Sequence, residues 1–114
     1  MKIKKVTIDD LEAYEISSSK VKMIVVTELG PRIAFFGKPN GDNLLYWQNN
    51  DIGREKWRLL GGHRVWVSRP LADEAEDAYA SDNDPCSVTI KQNEFVATGG
   101  IHPVYKIQRG IQIK

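Results

Sequence analysis

The sequence predicts an all-β protein, an antiparallel β-sandwich, on three observations. Apolar and polar residues alternate with a period of two along several segments, turn-forming residues separate these segments, and helix-compatible composition is confined to two short stretches. Alternation of this kind is typical of strands that cover a core with one face. The chain has 114 residues, no internal repeat and no break in composition, so we expect a single β domain over residues 1–114.

Three segments have the clearest strand patterns. Lys20–Thr27 carries apolar residues on both faces at its end, which indicates a strand in a sheet that is covered on both sides. Cys86–Gln92 alternates cleanly, and Glu94–Thr98 follows almost directly, so this pair predicts a tight hairpin. The other predicted strands are Lys2–Ile8, Leu11–Ser17, Arg32–Phe36, Leu44–Trp47 and Tyr105–Ile113.

The connections between strands are expected to be turns rather than helices. Asp51–Leu60 and Asp73–Tyr79 have helix-compatible composition, but the first lacks an apolar stripe and the second is short and acidic. Pro39–Asp42 reads Pro-Asn-Gly-Asp, which predicts a turn between Arg32–Phe36 and the next strand. A long irregular stretch is expected from Arg69 to Pro85.

Composition excludes several classes of protein. The 16 basic and 15 acidic residues give a net charge of +1. The basic residues are scattered and form no stripe, so we predict no nucleic-acid partner. No apolar run approaches the roughly 20 residues that span a bilayer, and the first residues lack the apolar segment of a signal peptide. The single cysteine, Cys86, lies on an apolar strand face, which favours burial over reactivity. We therefore expect a soluble, cytoplasmic protein with no membrane partner.

The strongest candidate chemistry lies in Gly61–Pro70. Two glycines there allow a close backbone approach, and Arg64 and Trp66 then share one face of a predicted strand. The pair suits a polyhydroxylated ring, because an indole stacks on C–H faces while a guanidinium donates to hydroxyls or a carboxylate. The alternative is a core tryptophan with Arg64 at its edge.

The two histidines are candidates of different strength. His63 is a candidate general acid, because an unperturbed imidazole, with a pKa of about 6.5, exchanges protons near neutral pH. The alternative for His63 is a hydrogen-bonded structural residue. His102 follows two glycines in a predicted loop and is the weaker candidate. Two histidines without a cysteine cluster make no zinc signature, and no nucleotide or dinucleotide motif is present, so we predict no cofactor and no metal ligands.

A compact run of polar residues precedes the predicted strand at Cys86. Asp82, Asn83 and Asp84 offer carboxylate and amide oxygens that are able to bind sugar hydroxyls or a hard cation. The run lacks the spacing of an EF-hand, so a metal is neither required nor excluded. The alternative is a turn in which these side chains cap their own backbone.

Four motifs in this order resemble the N-terminal part of the galactose mutarotase-like (aldose 1-epimerase-like) superfamily. They are Glu28–Ile33, Asn43–Leu45, Gly61–Trp66 and Tyr79–Pro85, and the resemblance covers the chain from about residue 21 to its end. The nearest likeness is to an uncharacterised branch. The resemblance implies part of a β-supersandwich of antiparallel sheets with a sugar site in its concave face.

The same resemblance implies roles for individual residues. Mutarotases of this superfamily interconvert aldose anomers with a histidine as general acid and a glutamate that removes the anomeric proton, while arginine and asparagine side chains hold the sugar. By position, either Arg64 or His63 resembles the substrate-binding arginine region, and Arg32 matches a motif whose role in this branch is either structural or substrate-binding. Family members are much longer, and no residue here matches their catalytic glutamate.

We therefore expect a carbohydrate-recognising domain without complete catalytic machinery in a lone chain. The expected ligand is a sugar or a sugar phosphate. Arg54, Lys56 and Arg58 are able to neutralise such a phosphate, and the alternative is that they form an exposed turn.

One alternative to carbohydrate recognition is an epimerase completed by oligomerisation, with His63 as general acid and an unidentified carboxylate as base, for which Glu28 and Asp82 are the options. Another is a structural module that pairs through an exposed strand edge. Since Ile111–Ile113 keeps strand register to the end, we expect either a partial domain or a homo-oligomer.

Overall fold

The computed structural model describes residues 1–48, 60–65 and 81–114. These residues form two antiparallel sheets and no helix, which confirms the prediction of an all-β, antiparallel sandwich. No helix in this part of the chain is long and apolar enough to cross a membrane. The strands are β1 (Lys2–Ile8), β2 (Leu11–Ser17), β3 (Lys22–Val26), β4 (Arg32–Gly37), β5 (Ser87–Lys91), β6 (Glu94–Ile101) and β7 (Gln108–Ile113).

The first sheet is a four-stranded meander in the order β1-β2-β3-β4. Strands β1 and β2 have the predicted bounds, and Ile8 pairs with Leu11 across a two-residue turn. Both turn residues, Asp9 and Asp10, have positive φ, at 48° and 64°. Aspartate tolerates this conformation better than most residues, so the local sequence suits a tight hairpin.

The second sheet has three strands in the order β5-β6-β7. Lys91 pairs with Glu94, which confirms the predicted tight hairpin. Strand β7 begins at Gln108 rather than at Tyr105 as predicted. The preceding residues form a loop instead, because the ring of His102 accepts main-chain hydrogen bonds there and Lys106 has a φ of 57°.

The first sheet is buried on both faces. One face packs against the second sheet, where Ile16 and Val25 meet Phe95 and Ala97. The opposite face carries a second cluster of Leu11, Ala13, Val26, Ala34 and Leu60. The neighbours Val25 and Val26 are both fully buried, as the apolar residues on both faces of Lys20–Thr27 predicted.

Two other sequence predictions have different outcomes. The predicted strand Leu44–Trp47 is wrong, since only Trp47 forms an isolated bridge, to Gly61. The side chain of Asn43 explains this, because it donates to Ala34 O and accepts from Phe36 N, so it takes a place beside β4 that a strand would fill. The helix-compatible stretches 51–60 and 73–79 lie outside the described residues, apart from the buried Leu60.

Candidate functional site

Residues 60–63 pair through the main chain with residues 46–48 and, at His63, with the edge of β4. His63 and Ile33 exchange two main-chain hydrogen bonds of 2.8 Å, so Arg64 comes alongside the start of β4. Gly61 and Gly62 have φ of 79° and 73°, a conformation that favours glycine. A Cβ on Gly62 would also collide with the main-chain oxygen of Ile33. The glycine pair of the sequence therefore serves to seat this segment on the sheet.

A turn over residues 81–84 carries the predicted acidic and amide side chains. Gly30 N donates to Asp84 O over 3.2 Å, which ties the turn to the loop before β4. The side chain of Asp82 points into the protein and is only 4% exposed, whereas Asp84 is exposed. The turn therefore presents one buried carboxylate and one exposed carboxylate.

Asp82 lies between two arginines from different parts of the chain. Its Oδ1 accepts a hydrogen bond from Nη1 of Arg109, and its Oδ2 forms an ion pair with Nη1 of Arg64 without hydrogen-bond geometry. Arg109 also donates to Val65 O over 3.1 Å and to Ser81 Oγ over 2.8 Å. Pairing of this kind is what permits charged groups to be buried.

Arg32 of β4 reaches the same turn from the first sheet. It is 1% exposed, and its Nε donates to Leu29 O over 3.2 Å. Its Nη2 contacts the main-chain oxygen of Asp82 at 3.4 Å and Oδ1 of Asn83 at 3.3 Å. We call Arg32, Arg64, Asp82, Asn83 and Arg109 the arginine cluster.

Glycines in β6 let the second sheet approach the arginine cluster. A Cβ on Gly99 would lie 2.7 Å from the main-chain oxygen of Gly30. A Cβ on Gly100 would lie 2.9 Å from Oδ2 of Asp84. Both distances are shorter than ordinary van der Waals contact, so the loop before β4 packs closely on Gly99 and the turn packs closely on Gly100.

The two histidines have different surroundings. His63 is exposed and is fixed by its main chain next to Arg64. His102 is fully buried, and its Nδ1 accepts main-chain hydrogen bonds of 3.1 Å from Val104 and Tyr105. Its ring lies 4.7 Å from the ring of Tyr105. His102 therefore has a structural role in this loop.

The structure brings together four of the residues that the sequence singled out and adds one that it did not. Arg32, Arg64, Asp82 and Asn83 meet in the arginine cluster, whereas Trp66 lies outside the described residues. The added residue is Arg109. A signal for it was present, because Arg109 occupies an odd-numbered position in a run whose other odd-numbered residues are apolar. A charge at such an inward position needs a buried partner.

Burial shifts the pKa of Arg109, which belongs to the arginine cluster, and of Cys86, which lies beside it. It raises the pKa of the Cys86 thiol to about 12, so this side chain stays protonated at neutral pH. Cys86 is half-buried rather than buried as expected, and its protonated thiol agrees with the expectation that it is unreactive. Burial also lowers the pKa of the Arg109 guanidinium, an effect that the charge of Asp84 opposes.

The described residues contain no group of three or more histidine, cysteine or acidic side chains that would hold a metal ion. Comparisons with models of known protein families, with curated proteins and with solved structures found no match. The likeness to the galactose mutarotase-like superfamily therefore stays a prediction from four sequence motifs, and the geometry of the arginine cluster is the ground for a functional proposal.

Proposed function

We propose that this chain is a carbohydrate-recognising domain of the galactose mutarotase-like type, with its site at the arginine cluster. The convergence of residues from separate motifs supports the proposal most. Arg32, Arg64 and Asp82 come from three of the four motifs on which the resemblance rests, and the fold brings them into one hydrogen-bonded and ion-paired group. Guanidinium, carboxylate and amide groups are the ones that bind sugar hydroxyls by paired hydrogen bonds.

Arg64 is the member of the cluster that is best placed to contact a ligand. Its side chain is 22% exposed, whereas that of Arg109 is 9% exposed. The ion pair with Asp82 holds the guanidinium of Arg64 in one place, so the N–H donors of Arg64 are positioned before a ligand arrives. Orientation of this kind reduces the entropy lost on binding. Arg32, with 1% exposure, would support the turn rather than touch the sugar.

For Asp82 and Glu28, the two candidate bases, a structural or sugar-binding role is a better proposal than catalysis. Each carboxylate oxygen of Asp82 is ion-paired with a guanidinium, Oδ1 with Arg109 and Oδ2 with Arg64, so neither oxygen is placed to reach a proton of the substrate. Oε2 of Glu28 accepts a 2.8 Å hydrogen bond from the main chain of Glu12 and so has a structural contact of its own. His63 stays the proposed general acid if the domain is an epimerase, and Trp66 stays the proposed stacking residue.

A panel of hexoses and hexose phosphates tests the proposed function. We expect amide signals of His63, Arg64 and the turn at Asp82 to shift on titration of the ¹⁵N-labelled chain. Arg64→Ala is expected to abolish these shifts and to leave the dispersed spectrum of the fold intact. Lys20→Ala is the matched control, since it removes an exposed basic side chain from the turn between β2 and β3. Equal binding by the Arg64 variant and the wild type would show that the site is placed wrongly.

Polarimetry distinguishes recognition from epimerisation. Freshly dissolved α-glucose or α-galactose relaxes slowly in water, and an epimerase would accelerate the change in rotation. We expect no acceleration at high protein concentration. Acceleration that His63→Ala removes would show instead that the chain is an enzyme with His63 as its acid.

We also propose that the chain forms a homo-oligomer through β7. Within the described ranges this strand pairs with β6 alone, so its other edge has no strand partner among these residues. Such an edge is a template for pairing with a second chain. Sedimentation velocity over a wide concentration range tests this, and a monomer at the highest concentration would contradict it.

A further inference from the structure

Arg109 of β7 contacts two neighbours of Arg64: the main chain of Val65 and the carboxylate of Asp82. Its Nη1 donates over 3.1 Å to the main-chain oxygen of Val65, the residue that follows Arg64. The same nitrogen contacts Oδ1 of Asp82, and Oδ2 of that carboxylate pairs with Arg64. Nη2 donates over 2.8 Å to Ser81 Oγ, which ties Arg109 to the turn that carries Asp82.

The exposed fraction of the side chains increases across the cluster, from Asp82 in the interior to Arg64 at the surface. Asp82 is 4% exposed, Arg109 is 9% exposed and Arg64 is 22% exposed. Arg109 and Asp82 therefore lie behind Arg64, and a ligand from solvent would meet Arg64 first. An oriented side chain at a binding site depends on such supporting contacts.

We propose that Arg109 is a positioning residue: it fixes the guanidinium of Arg64 through Asp82 and through the main chain of Val65. Its consequence for sugar affinity rests on the proposed function, whereas its effect on Arg64 does not. The second sheet thereby takes part in a site whose other members belong to β4, to residues 60–65 and to the turn.

The contacts of Arg109 need an arginine. A guanidinium offers five N–H donors in a fixed plane, so it is able to serve a carboxylate, a carbonyl and a hydroxyl at once. A lysine ammonium keeps the charge, but it is a point donor on a flexible stem. Arg109→Lys therefore keeps the charge of the cluster and removes the planar set of N–H donors.

The first measurement uses the free protein. In the wild type we expect separate, slowly rotating Nη signals for Arg64 in the ¹⁵N spectrum, since Asp82 holds one side of its guanidinium. In Arg109→Lys we expect these signals to collapse to an average. Gln112→Ala is the matched control, because Gln112 is an exposed residue of the same strand. It should leave the Arg64 signals unchanged.

The second measurement is the affinity for the best sugar of the panel. We expect Arg109→Lys to weaken it roughly tenfold, which is the size of effect seen when a supporting contact of a bound group is lost. If the wild type binds no sugar but the Arg64 signals still collapse in Arg109→Lys, the proposed function fails and the positioning role stands. If Arg64 keeps its signals and the sugar affinity is unchanged, the positioning role is overturned.

Ser81→Ala is the variant to use if Arg109→Lys does not fold. It removes the partner of Nη2 and keeps the ion pairs of Asp82. We expect faster rotation of the Arg64 guanidinium in this variant, with smaller shifts than in Arg109→Lys. Unchanged Arg64 signals in a folded Ser81→Ala protein would contradict the proposal.

Discussion

Two segments of this chain place a pair of glycines beside a histidine, and the fold uses them in different ways. In the first glycine segment, residues 61–63, both glycines have positive φ and the histidine is exposed. In the second glycine segment, residues 99–102, the glycines lie in strand β6 and the histidine is fully buried. Both segments border the arginine cluster.

The difference shows that two segments of similar composition need their glycines for different physical reasons. The first glycine segment needs glycine for its backbone conformation, because positive φ is strained in other residues. The second needs glycine because another part of the chain lies where a Cβ would be. The exposed His63 is available to a ligand, whereas His102 uses its Nδ1 to hold its own loop. Residue type alone does not separate these roles, but burial and hydrogen-bond partners do.

The largest effect on stability is expected for Gly62→Ala. The substitution combines a positive φ with a collision against Ile33 O, which is an acceptor in the bridge to His63. We expect a loss of about 3 kcal/mol in the free energy of unfolding, from backbone strain and the broken bridge together. Urea denaturation measures it. A loss below about 1 kcal/mol would show that the first glycine segment does not need glycine for its conformation.

His102→Ala is expected to have the next largest effect. It leaves the N–H groups of Val104 and Tyr105 without their acceptor and opens a space in a buried position. We expect a loss of about 2 kcal/mol in the free energy of unfolding. His102→Asn is the control, because its amide oxygen is able to accept from the same N–H groups and should recover part of the loss. Equal losses in the two variants would argue against the Nδ1 hydrogen bonds as the cause.

Gly99→Ala and Gly100→Ala compare two close contacts within the second glycine segment. At Gly99 the nearest atoms are the main-chain oxygen of Gly30 and Cδ of Pro31, which have little freedom to move. At Gly100 the nearest atom is the carboxylate of the exposed Asp84, which rotates away. We expect Gly99→Ala to lower the unfolding free energy by about 1.5 kcal/mol and Gly100→Ala to change it by less than about 0.5 kcal/mol. The reverse order would contradict this account of β6.

Much of the fold follows from the sequence where alternation is local. Strands β1 and β2 have their predicted bounds, and the apolar residues on both faces of Lys20–Thr27 predicted the burial of β3 on both sides. The prediction was wrong for Leu44–Trp47, and it was wrong for the start of β7 at Tyr105. In both places one side chain, Asn43 or His102, makes main-chain hydrogen bonds that replace strand pairing, and a period of two does not reveal such contacts.

Four members of the arginine cluster were predicted from the sequence, whereas Arg109 and the contacts among the five residues were not. The four motifs point to Arg32, Arg64 and Asp82 as residues of one site, but nothing local shows that two arginines share one carboxylate. Arg109 depends on the register of β6 and β7, which shifts between Thr98 and Ile101. Alternation along a single strand does not reveal such a shift between two strands, so the position of Arg109 next to Asp82 was not predictable from the pattern of β7.

His63→Ala is expected to have the smallest effect on stability and is the sharpest test of the difference between the two histidines. The side chain is exposed, and the two hydrogen bonds that seat the first glycine segment come from the main chain, which the substitution keeps. We expect the free energy of unfolding to change by less than about 0.5 kcal/mol, against the clear loss in His102→Ala. If the proposed sugar site is correct, the same variant should weaken binding, since His63 is the neighbour of Arg64. Parallel urea denaturation and sugar titration of the two variants measure both effects. A loss of stability in His63→Ala as large as in His102→Ala would mean that both histidines are structural, and Arg64 alone would then stay the proposed ligand contact within residues 60–65.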